Sequence, residues 1–285
     1  MRILVIGNGF VGKASASVRC EDIEVIIYDI DPDKCEPKNI SLDESVIGTD
    51  IIFVCVPTPY DSKTNKCYLG IIETVINNLK KIDDKLLNKT VIRSTIPPDF
   101  CSKYSVAHMP EFLTEADPIG TYRSTNVWII GMDEENSELK DNIQKLLSLS
   151  KKNGKIVSND IKFCNTVESG LIKLGRNTFL AMKVSYFNEM FDIANAYNIN
   201  YETVRSGICA DPRIGNSHSV VPGPDGFRGY GGTCFPKDLN NLIATSAPLV
   251  KNNLVILPAI VERNNIDRPE TAKLLDFTEG RSVVN

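Results

Sequence analysis

The chain has 285 residues, 42% of them hydrophobic, and a net charge of −4, so it can bury one large core or two smaller ones and lacks the polybasic signature of a nucleic-acid partner. No apolar run approaches the ~20 residues of a membrane span, and Met1 leads straight into an apolar run, which leaves no room for a signal peptide. Eight scattered cysteines without a C-x-x-C pair, and only two histidines, argue against a disulfide framework and a metal site and favour a reducing cytoplasm.

Short runs rich in Val and Ile alternate with polar, helix-permissive stretches through the first half of the chain. This alternation predicts an α/β fold that begins with a Rossmann-type, doubly wound parallel sheet with helices on both faces. The predicted strands are 2–6, 24–28, 50–56, 90–93 and 127–130, with 155–157 as a candidate last strand, and the helical stretches include 70–81 and 134–151.

The pattern changes after residue 158, where we place the boundary between the sheet domain, 1–158, and an all-helical domain, 159–285. The predicted helices there are 163–197 and 200–208, and 239–264 is mostly helix-compatible although Pro248 and Pro258 interrupt it. Gly175 costs ~1 kcal/mol relative to alanine inside a helix, which predicts close packing at that point.

Gly7, Gly9 and Gly12 form a G-x-G-x-x-G fingerprint directly after the first predicted strand. The first glycine permits a tight turn, the second lets the backbone approach a pyrophosphate, and the third allows a helix to pack closely with its N-terminus facing that anion. Asp29 ends the second strand, near the offset of an acid that binds ribose hydroxyls, and it favours NAD because it would repel the 2′-phosphate of NADP.

Two further loops follow predicted strands, at the edge where open α/β sheets bind ligands. They read Val-Pro-Thr-Pro at 56–59 and Ser-Thr-Ile-Pro at 94–97. Their hydroxyls predict ligand contacts, although their prolines are equally compatible with a structural role.

The glycine-dense segment at 229–238, Gly-Tyr-Gly-Gly-Thr-Cys-Phe-Pro-Lys-Asp, is the most informative of the chain. It places Cys234 in a loop that can approach a ligand closely, and a nearby lysine such as Lys237 can favour the nucleophilic thiolate. Lys173 and Asn177 lie four residues apart in the long predicted helix and therefore share one face.

The chain resembles the UDP-glucose 6-dehydrogenase family of nucleotide-sugar dehydrogenases over about residues 2 to 265. The motifs that carry the resemblance, in order, are GNGFVG, YDID, VPTP, STIP, PEFLTE, KLGRNTFLA, DPRIG and GYGGTCFPKD. The resemblance implies an NAD-dependent, four-electron oxidation of the C6 alcohol of UDP-glucose to a carboxylate, carried out by a cytoplasmic homodimer that pairs through the helical region. On composition alone we expect no metal and no membrane or nucleic-acid partner.

By the same resemblance Cys234 is the nucleophile that forms a thiohemiacetal and then a thioester. Lys173 and Asn177 would stabilise an oxyanion, Asp238 and Thr95 would position water, and Glu111 would be the base for thioester hydrolysis. The predicted cofactor-binding residues are Gly7, Gly9, Phe10, Val11, Gly12, Asp29, Lys34, Val56, Pro57, Thr58, Ser94, Thr95, Glu115 and Lys237. The predicted substrate-binding residues are Glu111, Phe112, Leu113, Lys173, Asn177, Arg213 (towards a neighbouring subunit), Tyr230, Gly231 and Cys234.

Members of the family continue into a second Rossmann-like domain that holds UDP, whereas this chain ends soon after the central region. We therefore expect either a truncated chain or a naturally minimal enzyme, in which the loop at 221–228 takes part in substrate binding or is only a surface loop. Two alternatives stay open: the same chemistry on another nucleotide sugar, such as UDP-N-acetyl-mannosamine or GDP-mannose, and a non-catalytic NAD-binding subunit. A two-electron 3-hydroxyacid dehydrogenase would share the architecture but would have no use for Cys234.

Overall fold

A seven-stranded sheet dominates the first half of the chain in the computed structural model, which describes residues 1–61, 63–132 and 136–272. The strands in chain order are β1 (Arg2–Ile6), β2 (Glu24–Tyr28), β3 (Ile51–Val54), β4 (Tyr60–Asp61), β5 (Lys66–Cys67), β6 (Thr90–Ile92), β7 (Ala107–His108), β8 (Val127–Gly131) and β9 (Asp160–Cys164). The sheet has the order β2-β1-β3-β6-β7-β8-β9, and β4 and β5 form a separate antiparallel hairpin. Neighbouring strands of the sheet are parallel except β7 and β8.

Both faces of the sheet are covered by helices, as predicted for a doubly wound fold. Along β1, Ile3 and Val5 point into one core with the helices Phe10–Ala16 and Ser137–Lys152, while Leu4 and Ile6 point into a second core with the helices Gly70–Ile82 and Phe100–Tyr104. This two-sided burial is why the strand is a continuous apolar run. The helices are α1 (Phe10–Ala16), α2 (Leu42–Ser45), α3 (Gly70–Ile82), α4 (Phe100–Tyr104), α5 (Pro118–Arg123), α6 (Ser137–Lys152), α7 (Thr166–Ala196), α8 (Tyr201–Cys209), α9 (Phe235–Ser246) and α10 (Ile256–Asp267).

The last strand of the sheet differs from the sequence prediction. It is β9, which pairs with β8 from Asp160 to Cys164, and not residues 155–157. Because β9 is an edge strand whose residues are exposed or half-buried, it lacks the apolar run that marked the other strands. The sheet therefore continues beyond the boundary predicted at residue 158, and residues 159–164 are not helical.

The described residues divide into two compact units. Unit 1 comprises residues 1–58 and 69–173, and unit 2 comprises 59–68 and the chain from 174 onward. The long helix α7 continues from one unit into the other, whereas the hairpin β4–β5 belongs to unit 2 although it interrupts unit 1 in sequence. The predicted second domain was 159–285, and its part from residue 273 onward lies outside the described residues.

Helices supply most of unit 2. The stretch predicted as mostly helical, 239–264, is two helices, α9 and α10, since the chain turns at residues 247–255, where Lys251 and Asn252 have positive φ. Buried side chains of α7, α9 and α10 share one core with Tyr230, while α7 and α8 form another.

The glycine in α7 that packs closely is Gly170 and not Gly175. A Cβ at Gly170 would lie 2.6 Å from Cα of Pro98, whereas a Cβ at Gly175 would meet none of the described atoms within 4 Å. The expectation of close packing at Gly175 was therefore wrong. Helix propensity gives the stability that a helix loses when glycine replaces alanine, and it says nothing about which atoms surround the glycine.

Candidate functional site

The glycine fingerprint has the backbone geometry that a dinucleotide requires. Gly7 has φ of +97°, and a Cβ there would lie 2.7 Å from the carbonyl oxygen of Cys55. A Cβ at Gly12 would overlap the carbonyl oxygen of Gly7, so this glycine serves the packing of α1 on β1. Gly9 is different, since no described atom lies within 4 Å of its Cβ position. Packing among the described residues does not demand glycine at position 9, and the close approach of a dinucleotide at Gly9 stays a prediction.

Asp29 is oriented by the fingerprint loop. Its carboxylate accepts hydrogen bonds from the backbone amides of Asn8, at 2.7 Å, and Asp31, at 3.0 Å, and the Asn8 side chain donates to the carbonyl of Lys34. The Lys34 ammonium pairs with Asp31 at 3.1 Å, and this pairing raises the pKa of Lys34. The residues after β2 are thus tied to the fingerprint, which fits a ribose held by Asp29.

A pocket of about 590 Å³ lies beside Asp29. Its lining combines apolar side chains with amides and charges, contributed by the chain after β2 and by the C-terminal part of α3, and includes Tyr28, Ile30, Ile40, Ile82, Asn78 and Lys81. An apolar wall next to the acid that is predicted to bind the ribose would suit the adenosine end of NAD. Sequence reasoning missed Asn78 and Lys81, since nothing in the α3 pattern separates them from solvated helix residues.

The two strand-end loops are hydrogen-bonded to each other. The hydroxyl of Thr58 donates to the carbonyl of Thr95 at 2.7 Å, and the hydroxyl of Ser94 donates to the carbonyl of Val56 at 2.6 Å. Thr58 and Ser94 are buried, whereas Pro57 is exposed. These hydroxyls fix the carboxyl edge of β3 and β6, and contact of these loops with a ligand stays a prediction.

Unit 1 brings together two of the predicted catalytic residues, Lys173 and Glu111. The Lys173 ammonium donates to the Glu111 carboxylate and to the Glu111 carbonyl, both at 2.6 Å, and the two side chains are only 4% and 6% exposed. The other carboxylate oxygen accepts from the amide of Leu113 at 2.7 Å, and the ammonium lies 5.5 Å from the centre of the Phe112 ring. The segment at 110–113 therefore wraps around one buried ion pair.

His108 lies in the same region and was not predicted as functional. It is fully buried, and its Nδ1 lies 2.8 Å from the hydroxyl of Ser169. Burial, together with the positive charges of Lys173 and Arg93, lowers the pKa of His108 to about 3. The ring is therefore neutral at physiological pH.

Unit 2 brings together Cys234, Lys237, Asp238 and Asn177. Cys234 is the residue that precedes α9, a position where the helix dipole favours a thiolate. One turn later the Asp238 carboxylate, which is fully buried, accepts from the Asn177 amide and from the Lys237 ammonium, both at 2.6 Å. Burial alone would lower the pKa of Lys237, but the Asp238 carboxylate, together with Cys67 and Cys234 in their thiolate forms, outweighs burial and raises that pKa.

A second thiol, Cys67, also faces the ammonium of Lys237. Its Sγ lies 3.9 Å from the Lys237 Nζ, and its backbone amide donates to the Asn241 side chain at 3.2 Å. Burial raises the pKa of Cys67, against the effect of Lys237. Sequence reasoning missed this contact because 170 residues separate the two side chains.

The remaining predicted site residues have varied surroundings. The Arg213 side chain is 88% exposed and pairs with Asp211 at 2.6 Å. Tyr230 is buried in the core of unit 2, and burial raises its pKa. Glu115 is exposed, and Gly231 is half-buried. Their contacts with cofactor or substrate stay predictions.

The loop at 221–228 is bound to neighbouring helices. Arg228 donates to Asp192 and Asp267 at 2.8 and 2.6 Å, and Asp225 pairs with Arg268 at 2.7 Å. The loop is thus held at its two charged residues, Asp225 and Arg228.

In the described parts of the chain, no helix is long and apolar enough to cross a membrane. No group of three or more His, Cys, Asp or Glu side chains among the same residues is arranged to hold a metal ion. All eight cysteines are described, and none forms a disulfide there.

Two family models match the chain. The NAD binding domain of the UDP-glucose/GDP-mannose dehydrogenase family matches residues 38–149, and the central domain of the same family matches residues 167–265. A UDP-glucose 6-dehydrogenase of Campylobacter jejuni is 30% identical over 96% of this chain and 75% of that protein.

Solved structures of similar fold include a UDP-glucose dehydrogenase from Pyrobaculum islandicum. It superposes with a TM-score of 0.75 at 23% identity, over 93% of this chain and 68% of that one. A UDP-D-ManNAc dehydrogenase from Pyrococcus horikoshii gives a TM-score of 0.71 at 23% identity over the same shares. At these identities the similarity establishes the fold.

Proposed function

Because the chain belongs to the UDP-glucose/GDP-mannose dehydrogenase family, whose N-terminal domain binds NAD, we propose that it oxidises UDP-glucose to UDP-glucuronate in two steps. The observation that carries this proposal is the placement of Cys234 at the start of α9, one turn before the buried Asp238–Asn177 pair. When bound, NAD accepts a hydride in each step, so two NAD molecules are reduced per sugar. The eight thiols, which form no disulfide among the described residues, favour a reducing compartment, and we place the reaction in the cytoplasm.

Cys234 retains the substrate between the two oxidations. Its thiolate adds to the C6 aldehyde, forming a C–S bond, and the carbonyl oxygen takes up a proton to give a thiohemiacetal. Loss of a hydride from that carbon, together with the hydroxyl proton, then gives a thioester. Water then adds to the thioester carbonyl, and the C–S bond breaks to release the carboxylate and the thiol. The ammonium of Lys237, whose pKa is raised by the surrounding negative charges, stays positive and favours the thiolate at Cys234.

The other predicted catalytic residues stabilise charge and move protons. Lys173 and Asn177 each carry donors on the same helix, one turn apart, and would hold the oxyanion that develops at C6. Glu111 would accept the proton of the attacking water, with Asp238 and Thr95 orienting it. Since Lys173 is bonded to Glu111 and Asn177 to Asp238, these two pairs are preorganised without substrate.

The experiment that tests the function is a panel of nucleotide sugars monitored by NADH absorbance. UDP-glucose should give two NADH per sugar and UDP-glucuronate as the product. Preferred turnover of UDP-N-acetyl-mannosamine or GDP-mannose with the same stoichiometry would keep the chemistry and change the substrate, an outcome made relevant by the fold shared with the UDP-D-ManNAc enzyme. One NADH per sugar, with free aldehyde as product, would refute the covalent mechanism.

The surface of α7 supports a homodimer. Phe179, Tyr186 and Ile193 are spaced by seven residues and are 56%, 48% and 46% exposed, so one face of the helix carries an apolar stripe. Pairing of two such helices about a two-fold axis would bury it. We expect light scattering to give a dimer, Phe179→Glu or Tyr186→Glu to give a monomer, and Leu249→Glu, at an exposed site off this helix, to leave the dimer intact. A wild-type monomer with full activity would contradict the proposal.

A further inference from the structure

The loop that carries Cys234 begins in a clamp formed by two asparagines. Asn264 of α10 accepts a hydrogen bond from the amide of Tyr230 at 2.7 Å and donates to the carbonyl of the same residue at 3.0 Å. Asn188 of α7 accepts from the amide of Gly229 at 3.3 Å and from the Arg228 guanidinium at 3.2 Å. Both asparagines are buried.

The clamp leaves no room for a side chain where the loop starts. Gly229 has φ of +72°, and a Cβ there would lie 2.5 Å from the Asn264 side-chain oxygen. The glycine at the head of the Gly-Tyr-Gly-Gly segment is therefore required by Asn264 itself. Because the φ of Gly229 is also in the left-handed region, both the space and the backbone select glycine.

The far end of the loop is also fixed. Tyr230 and Phe235 belong to one core cluster with Leu239 of α9 and Ile260 of α10, and the two rings meet edge-on with centroids 6.4 Å apart. Cys234 immediately precedes Phe235, so the thiol lies between two fixed points, the backbone of Tyr230 and the first residue of α9.

We propose that Asn264 is a positioning residue for Cys234, which holds the thiol in place by pairing with both backbone groups of Tyr230. The proposal rests on the proposed role of Cys234 as nucleophile. A carboxamide carries an acceptor and a donor side by side and can therefore pair with both the amide and the carbonyl of one residue, whereas an ionised carboxylate has no donor. An ionised aspartate of the same shape would still accept from the Tyr230 amide. Its second oxygen would face the Tyr230 carbonyl oxygen, so the second hydrogen bond would be replaced by repulsion between two acceptors.

The test compares Asn264→Asp with Asn253→Asp, the same change at an exposed position outside the clamp. A displacement of about 1 Å at a reacting group can lower a rate on the order of 10²-fold, so Asn264→Asp should lower kcat by about that factor and leave NAD affinity unchanged. Asn253→Asp should leave both kcat and NAD affinity unchanged. Wild-type kcat in a folded Asn264→Asp protein would overturn the proposal.

Two measurements need no substrate and separate this inference from the proposed function. Alkylation of Cys234 by iodoacetamide, followed by peptide mass spectrometry, should change its rate in Asn264→Asp, whereas alkylation of Cys20 should not. In the wild-type protein, the amides of Gly229 and Tyr230 should be protected from hydrogen exchange. Rapid exchange at both amides would overturn the clamp even if the variant failed to fold, and a changed alkylation rate would support it even if UDP-glucose were not oxidised.

Discussion

The buried ion pair of unit 1 makes a strong prediction about stability. Lys173→Met removes the ammonium that bonds to Glu111 twice, in a site where both side chains are almost fully buried. The Glu111 carboxylate then keeps the Leu113 amide but loses its positive partner. Breaking a buried pair by removing one member costs about 3–5 kcal/mol, because an uncompensated charge remains.

Urea unfolding followed by circular dichroism measures this loss, and the melting temperature should fall by on the order of 10 °C. Lys80→Met is the matched control, since Lys80 and Asp84 form an exposed pair, with side chains 60% and 72% exposed, and should lose no more than ~0.5 kcal/mol. The double variant Lys173→Met/Glu111→Gln should recover part of the loss, because it no longer buries an unpaired charge. A Lys173→Met protein within ~1 kcal/mol of wild type would refute the reasoning.

Three further outcomes follow from the site. Cys234→Ser should abolish steady-state NADH formation and leave NAD binding, followed by calorimetry, intact; full turnover with serine would exclude the covalent step. Asp29→Asn should narrow the preference for NAD over NADP in the same binding assay, because the charge that repels a 2′-phosphate is gone; equal wild-type affinities would contradict the role of Asp29. The pKa of His108 is lowered to about 3 in the folded protein, so as the pH falls the unfolded chain takes up a proton at His108 before the folded protein does. The free energy of unfolding should therefore decrease below about pH 6.5, by ~1.4 kcal/mol per pH unit. The unfolding free energy of His108→Asn should depend less on pH between 7 and 5, and an unchanged dependence would exclude His108 as its source.

The elements that the sequence could predict are those set by local pattern. Strands β1, β2 and β3 are buried on both faces and therefore show as apolar runs, and the glycine fingerprint follows β1 directly. The doubly wound sheet was predicted from these runs, and the long helix α7 from the helix-compatible pattern of its own residues. Edge strand β9 was not, because an exposed strand needs no apolar residues.

The partners within the site lay beyond local pattern. Glu111 and Lys173 are 62 residues apart, and Asn177 and Asp238 are 61 apart. Motif resemblance could name these four residues, but neither spacing nor periodicity could pair them. The contact between Cys67 and Lys237 was missed entirely, since Cys67 lies in no motif and a buried cysteine is most often a small apolar residue.

The hairpin β4–β5 bears on how the chain folds as it is synthesised. Residues 59–68 leave the ribosome early, yet the Cys67 amide bonds to Asn241, 174 residues further along the chain. The sheet of unit 1 can form around β3 and α3 before α9, the helix that the hairpin contacts, has been synthesised. Contacts between residues so far apart in sequence slow folding. Until they form, the hairpin exposes its strand edges to neighbouring chains. The folding of unit 2 therefore covers the hairpin at 59–68, which was synthesised long before the rest of that unit.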